Sequence, residues 1–243
     1  MSNPLMTSMP DRDSPWEQAA SYEKEERSMR PVGKIVVKGA VEVVFYRAST
    51  AHLVVAGETQ DAIRSIKTRF DGNKLVIEQE GTSISMAGGS IHVSGSGHIV
   101  AGGDIYIDGV RQNNSRTIGA GRCIVGVALP EAPGIRIQGS GDVTLYDLQQ
   151  SLLNICIQGS GDVTPFGQVK HLIAEVAGSG DVDASELVSA TAELSVVGSG
   201  DIEAYVQQSV KARVAGSGDI VIRGNPANRD HSVAGSGDIK FKN

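Results

Sequence analysis

The chain has 243 residues and a formal net charge of −6, with its basic residues scattered rather than clustered. That balance argues against nucleic-acid binding and against adhesion to an anionic membrane surface, and no apolar stretch is long enough to insert as a transmembrane helix. Aromatic residues make up 4% and there are 30 glycines, which suits a thin repetitive fold better than a globular sandwich.

Residues 1–30 differ in character from the rest, being rich in proline, serine and charge. Ser14, Pro15 and Glu17 are a helix-start pattern, and a short helix over 15–28 is expected. The segment reads as a flexible amino-terminal arm. Its one tryptophan, Trp16, also makes it a candidate docking arm that covers a solenoid end or a partner. These residues hold no apolar core of signal-peptide type, so a cytoplasmic chain is the expectation.

Residues 31–243 read as one β-helical domain. Alternating runs at Ile35 and Val37, at Val41, Val43 and Phe45, and at Leu53 and Val55 predict strands. Residues 60–69 offer thin support for one helical turn, and Asp71-Gly72-Asn73 marks a tight turn before Leu75. Residues 32–80 lack a regular corner and are expected to cap the solenoid. Residues 81–110 are glycine-rich and contain a variant corner, Gly95-Ser96-Gly97-His98, and 111–121 read as a protruding loop.

The strongest signal is the tetrapeptide Gly-Ser-Gly-Asp, which recurs six times. Its glycines are Gly139 and Gly141, Gly159 and Gly161, Gly178 and Gly180, Gly198 and Gly200, Gly216 and Gly218, and Gly235 and Gly237. A repeat of roughly 20 residues is a solenoid period. Around each corner, β-branched residues alternate with polar ones: Ile137, Ile157, Val176, Val196, Val214 and Val233 before it, Val143, Val163, Val182, Ile202, Ile220 and Ile239 after it. That alternation means strands with one buried face. Each coil reads strand, corner, strand, loop, and coils pair in parallel about 4.8 Å apart. The predicted fold is all-β, a largely right-handed parallel β-helix of about ten coils.

The run Val125-Gly126-Val127-Ala128-Leu129-Pro130 leading to Ile135-Arg136-Ile137-Gln138-Gly139, followed by the recurring corner, resembles the bacterial "putative auto-transporter adhesin, head GIN domain" family. The opening IVVKGAVEVVFYRASTAHLVVAGE and the segment DGNKLVIEQE are also similar to that family's amino-terminal half. The resemblance covers roughly residues 32–243. It implies a β-helical domain without established enzymatic activity and with an adhesin-like role. Many members look like exported proteins, unlike the cytoplasmic expectation above.

The corner aspartates Asp142, Asp162, Asp181, Asp201, Asp219 and Asp238 should line one edge. They are candidates for a calcium ladder, because hard cations want oxygen ligands. The alternative is structural capping of turn N–H groups, favoured because the nine-residue calcium repeat is absent. His92 and His98 near Asp104 could converge as metal ligands or an acid–base pair, though a turn role explains His98 equally well. His52, His171 and His231 have no evident partners. Glu175, Asp183, Glu193 and Glu203 could be cast as glycosidase carboxylates, yet they follow solvent-facing columns and no aromatic platform for sugars accompanies them. Cys123 is in phase with core residues and Cys156 is not, which argues against a disulfide, and two cysteines are too few for a zinc site.

The expected function is therefore non-catalytic and cofactor-free: an adhesin-like or scaffold solenoid presenting a rigid surface to a protein or glycan. A self-assembling protein is the alternative, stacking end to end through the terminal coil at Ile239 and Phe241, with Lys240 and Lys242 as gatekeepers against that pairing. A carbohydrate-active enzyme is the third reading.

Overall fold

The computed structural model describes residues 15–79, 83–87, 90–94, 105–107, 110–112 and 121–242. The variant corner at Gly95 to His98, and Asp104, lie outside the described residues. His92 falls in a described strand.

Among the described residues two short helices, α1 (Pro15–Gln18) and α2 (Gln60–Ser65), accompany nineteen strands. The first six are β1 (Glu23–Arg27), β2 (Lys34–Gly39), β3 (Glu42–Arg47), β4 (His52–Gly57), β5 (Ile66–Asp71) and β6 (Lys74–Gln79). Next come β7 (Ser83–Ala87), β8 (Ser90–Ser94), β9 (Ile105–Ile107) and β10 (Val110–Gln112), which form a separate four-stranded sheet. The solenoid proper follows with β11 (Cys123–Leu129), β12 (Gly134–Gly139), β13 (Val143–Gly159), β14 (Val163–Gly178), β15 (Val182–Gly198) and β16 (Ile202–Gly216). It ends with β17 (Ile220–Arg223), β18 (Asn228–Gly235) and β19 (Ile239–Lys242).

Each corner joins two walls of one continuous sheet. The upstream wall, made by residues that precede the corners, runs β5-β6-β2-β12 and then through the later halves of β13 to β16 to β18. The downstream wall runs β1-β4-β11-β3 and then through the early parts of β13 to β16 to β17 and β19. Pairing is parallel throughout the solenoid and antiparallel at its beginning, where β1 meets β4, β4 meets β11 and β5 meets β6.

The inward columns stack in register. Val37, Ile137, Ile157, Val176, Val196 and Val214 form one file, and all are buried. Val43, Val143, Val163, Val182, Ile202 and Ile220 form the opposite file, also buried. A narrow apolar core of this kind excludes water and gains about 25 cal/mol per Å² of apolar surface removed.

Three expectations need correction. The solenoid has about five turns, not about ten. Dividing length by period assumed that residues 48–133 coil; instead β11 lies between β3 and β4, β5 and β6 form a hairpin, and β7 to β10 make their own sheet. The expected loop in each coil is mostly strand, because β13 to β16 run 15 to 17 residues and bend while still pairing with their neighbours. Continued pairing satisfies backbone N–H groups that an open loop would leave to water. The bends fall at register shifts, with Asp147 (φ 53°) and Gly167 (φ 128°) in the left-handed region.

The third correction concerns the arm. The helix expected over 15–28 ends at Gln18, a single 3₁₀ turn follows over Ala19–Ser21, and Glu23–Arg27 is strand β1. From Pro15 onward the arm packs on the downstream wall. The thin helical signal near residue 60 is realised as α2, whose Thr59 side chain accepts a hydrogen bond from the Ala62 N–H at 3.1 Å.

Candidate functional site

The corners form a hydrogen-bonded staircase. The Asp162 N–H donates to Asp142 Oδ1 (3.1 Å), Asp181 to Asp162 (2.9 Å), Asp201 to Asp181 (2.7 Å), Asp219 to Asp201 (2.7 Å) and Asp238 to Asp219 (2.9 Å). At the base, where Glu42 replaces the aspartate, the Asp142 N–H donates to the Val41 carbonyl instead (3.1 Å). The five carboxylates from Asp142 to Asp219 thus each commit one oxygen to the backbone of the following coil, whereas Asp238 Oδ1 accepts from the Ile239 N–H of its own coil (2.8 Å). The geometry supplies caps for turn N–H groups. Among the described residues no three His, Cys, Asp or Glu side chains are grouped to hold a metal ion.

Glycine is required at the corners by close approach. A Cβ at Gly200 would overlap the carbonyl oxygen of Gly180 in the preceding coil, and the first glycine, Gly198, has φ 129°.

The last rung is electrostatically distinct. Lys240 Nζ lies 2.7 Å from Asp219 Oδ2 and 3.8 Å from Asp238 Oδ2. Its hydrogen bond, with help from the Asp238 N–H, holds the Asp219 carboxyl below the usual carboxylate range. The same bond raises the Lys240 amine. Lys240 is therefore tied to the ladder.

The expected assembly edge is the final coil. Ile239 and Phe241 are half-buried against the main core. Phe241 meets His231 edge-on (5.5 Å between centroids) and lies 4.4 Å from the Arg229 guanidinium. Strand β18 is exposed at every residue, and Val233, the continuation of a buried file, is 42% exposed. Among the described strands, β18 pairs only with β16, and β19 only with β17.

Trp16 lies at the opposite end. It is buried (2% exposed) with Ala19, Val44, Val54, Ala56, Ile124 and Ala128 on the outer face of the downstream wall. The arm therefore covers its own domain near the first coils.

The four carboxylates cast as a glycosidase pair do not converge. Glu175 and Glu193 lie on the upstream wall, whereas Asp183 and Glu203 are register partners on the downstream wall. Asp183 Oδ1 accepts from the Ser185 N–H (3.1 Å) and hydroxyl (2.6 Å), and Glu203 is ion-paired with Arg223. His171 shares a 2.7 Å hydrogen bond with Thr191, and His52 lies 3.0 Å from both Thr50 and Glu26, so neither histidine is partnerless. Cys123 and Cys156 are free thiols, and burial pushes Cys123 up to about 12.

An aromatic pair not singled out in the sequence lies on the outer face of the downstream wall. Tyr46 pairs in register with Tyr146, and the Tyr146 ring stacks on Phe166 with centroids 5.2 Å apart and planes inclined by 4°. At the same distance from the corner the later coils carry Ser185, Tyr205, Arg223 and Lys242; Tyr205, Arg223 and Lys242 are successive register partners, whereas the register shift in β15 sets Val188 opposite Tyr205. The signal was one alternation step beyond the Thr144 and Thr164 column.

Known proteins resemble this chain in family and in fold. The family model described as "Putative auto-transporter adhesin, head GIN domain" matches residues 33–226. A putative adhesin from Bacteroides fragilis is 19% identical with a TM-score of 0.60, covering 90% of this chain and 96% of its own. A putative lipid binding protein from Parabacteroides distasonis is 18% identical with a TM-score of 0.53, covering 91% of this chain and 96% of its own. At these identities the likeness shows the fold alone. No curated protein matches the chain.

Proposed function

The chain belongs to the head GIN domain family, and from that premise we propose that it is a non-catalytic, adhesin-like module that presents a rigid surface to a partner. The observation that carries this reading is the in-register downstream wall, which fixes aromatic, hydroxyl and charged side chains in outward files without gathering the candidate carboxylates into one cleft. Rigid strands are a good support for binding because little ordering entropy is lost on association. The test is retention of beads coated with the domain on glycan-bearing and protein-bearing surfaces, alongside a glycan-degradation screen. Retention without turnover supports the reading; turnover, or no retention on any surface, would overturn it.

One observation favours a second reading, assembly through the last coil: β18 is exposed along its whole length beside half-buried Phe241. Light scattering after size exclusion across a concentration series tests it. Growth that Phe241→Asp abolishes supports assembly. A monodisperse small species at every concentration rules it out.

A further inference from the structure

The outward aromatic column is interrupted at one coil, and a groove opens there. Ser185, Glu186, Val188, Tyr205, Gln207 and Arg223 line an open volume of about 690 Å³ on the flank of the downstream wall. The small side chain of Ser185 replaces an aromatic ring, and β15 bulges between Ala184 and Val188. On the other side is Gly224, at φ 88°, where an added Cβ would press on the Val206 carbonyl and come within 3.6 Å of Tyr205 Cε2. The result is an aromatic ring set beside an open space, within a rim of polar groups.

Those groups are chemically mixed. The Gln207 amide both donates and accepts, the Asn225 amide, whose oxygen takes a 2.7 Å hydrogen bond from Arg229, donates, Glu186 accepts, and Arg223 donates. The Arg223 guanidinium is held by Glu203, so its position is set before any ligand arrives. An aromatic face takes up the C–H face of a pyranose, while hydroxyls need neighbours that donate and accept. Charge narrows the class further. The lining carries one carboxylate, Glu186, and one cation, Arg223, which is already paired with Glu203, so uronate, sulfate and phosphate groups find no unpaired positive charge among the lining residues.

We propose that this groove is a binding site for a neutral saccharide, with Tyr205 as the stacking platform and Gln207, Asn225 and Glu186 as hydroxyl partners. The assignment rests on the adhesin-like reading and gives it a ligand class.

Saturation-transfer NMR on the full chain tests it, using cellotetraose, mannotetraose and galactotetraose, with a hyaluronan tetrasaccharide as the anionic comparison. The expected result is transfer to at least one neutral tetrasaccharide and none to hyaluronan. Tyr205→Ala should weaken binding about tenfold, the equivalent of losing one aromatic contact. Gln207→Ala, at an exposed position, should weaken it without altering the thermal melt, so a folding defect in the tyrosine variant does not decide the matter. Absence of transfer to all three neutral sugars, hyaluronan binding, or transfer unchanged in both variants would overturn the site. Bead retention separates this from the broader reading: retention equal in wild type and both variants removes the groove and leaves the adhesin-like role standing.

Discussion

The indole of Trp16 lies directly on Gly126: a Cβ at that glycine would sit 2.7 Å from ring carbons Cη2 and Cζ3. Gly126 is central in β11, which pairs with β3 on one side and β4 on the other, so the strand cannot withdraw to make room. Gly126→Ala should push the ring out and cost about 1–3 kcal/mol, the usual range for overpacking. Trp16 is the chain's one tryptophan, so its fluorescence reports the event directly. A red shift with a lowered urea midpoint is expected. An unshifted emission maximum would mean that the arm does not rest there in solution.

The aspartate staircase separates capping from cation binding. Asp181→Ala removes the acceptor of the Asp201 N–H and should cost about 1–2 kcal/mol, as for a hydrogen bond to an exposed charged group. Asp181→Asn keeps an oxygen in place and should cost less. For a cap, the melting temperature of neither variant nor of the wild type changes with calcium. A calcium-dependent rise in wild type that both variants lose would establish a cation ladder instead.

Asp219 and Lys240 make the final rung pH-sensitive. The folded-state value of Asp219 is lowered, chiefly by the Lys240 hydrogen bond. Its stabilising contribution is therefore complete above the unfolded value, near 3.9, and is lost as pH falls through the lower folded value. Carboxyl NMR titration should place the Asp219 midpoint below the ordinary aspartate range. Lys240→Met should raise it only part of the way back, because the Asp238 N–H still donates. A midpoint unmoved by Lys240→Met would show that the ion pair does not form in solution.

The solenoid was legible because its corner is identical in all six copies from Gly139 to Asp238, and alternation around it distinguishes inside from outside. The founding corner was hidden. Gly39 stacks under Gly139, but Ala40, Val41 and Glu42 have replaced the other three residues, and a long insertion separates the two coils. The neighbours of β3 are likewise nonlocal, since β11 lies beside it although β4 follows it in the chain. Trp16 is buried by a patch assembled from β3, β4 and β11, which no local pattern announces. The Tyr146–Phe166 stack was within reach: one more step along the alternation shows both rings in the same outward file.

Two glycines that look alike in sequence should respond very differently to alanine. Gly72, at φ 56° in the turn joining β5 and β6, has nothing within 4 Å of an added methyl group, so Gly72→Ala bears only the left-handed backbone penalty of about 1 kcal/mol. At Gly200 the methyl group meets the backbone carbonyl of Gly180, and that peptide is already fixed: its N–H, that of Asp181, donates to Asp162 Oδ1 at 2.9 Å, and the Gly180 N–H donates to the Gly159 carbonyl at 3.2 Å. No flexible side chain can yield there. A shift of one corner also disturbs the rung above it, through the Asp219 N–H on Asp201. Gly200→Ala should cost more than about 3 kcal/mol or abolish soluble expression. Urea denaturation of the two variants side by side is the measurement. Equal, small losses would mean that adjacent coils are further apart at the corner than a glycine-only passage requires.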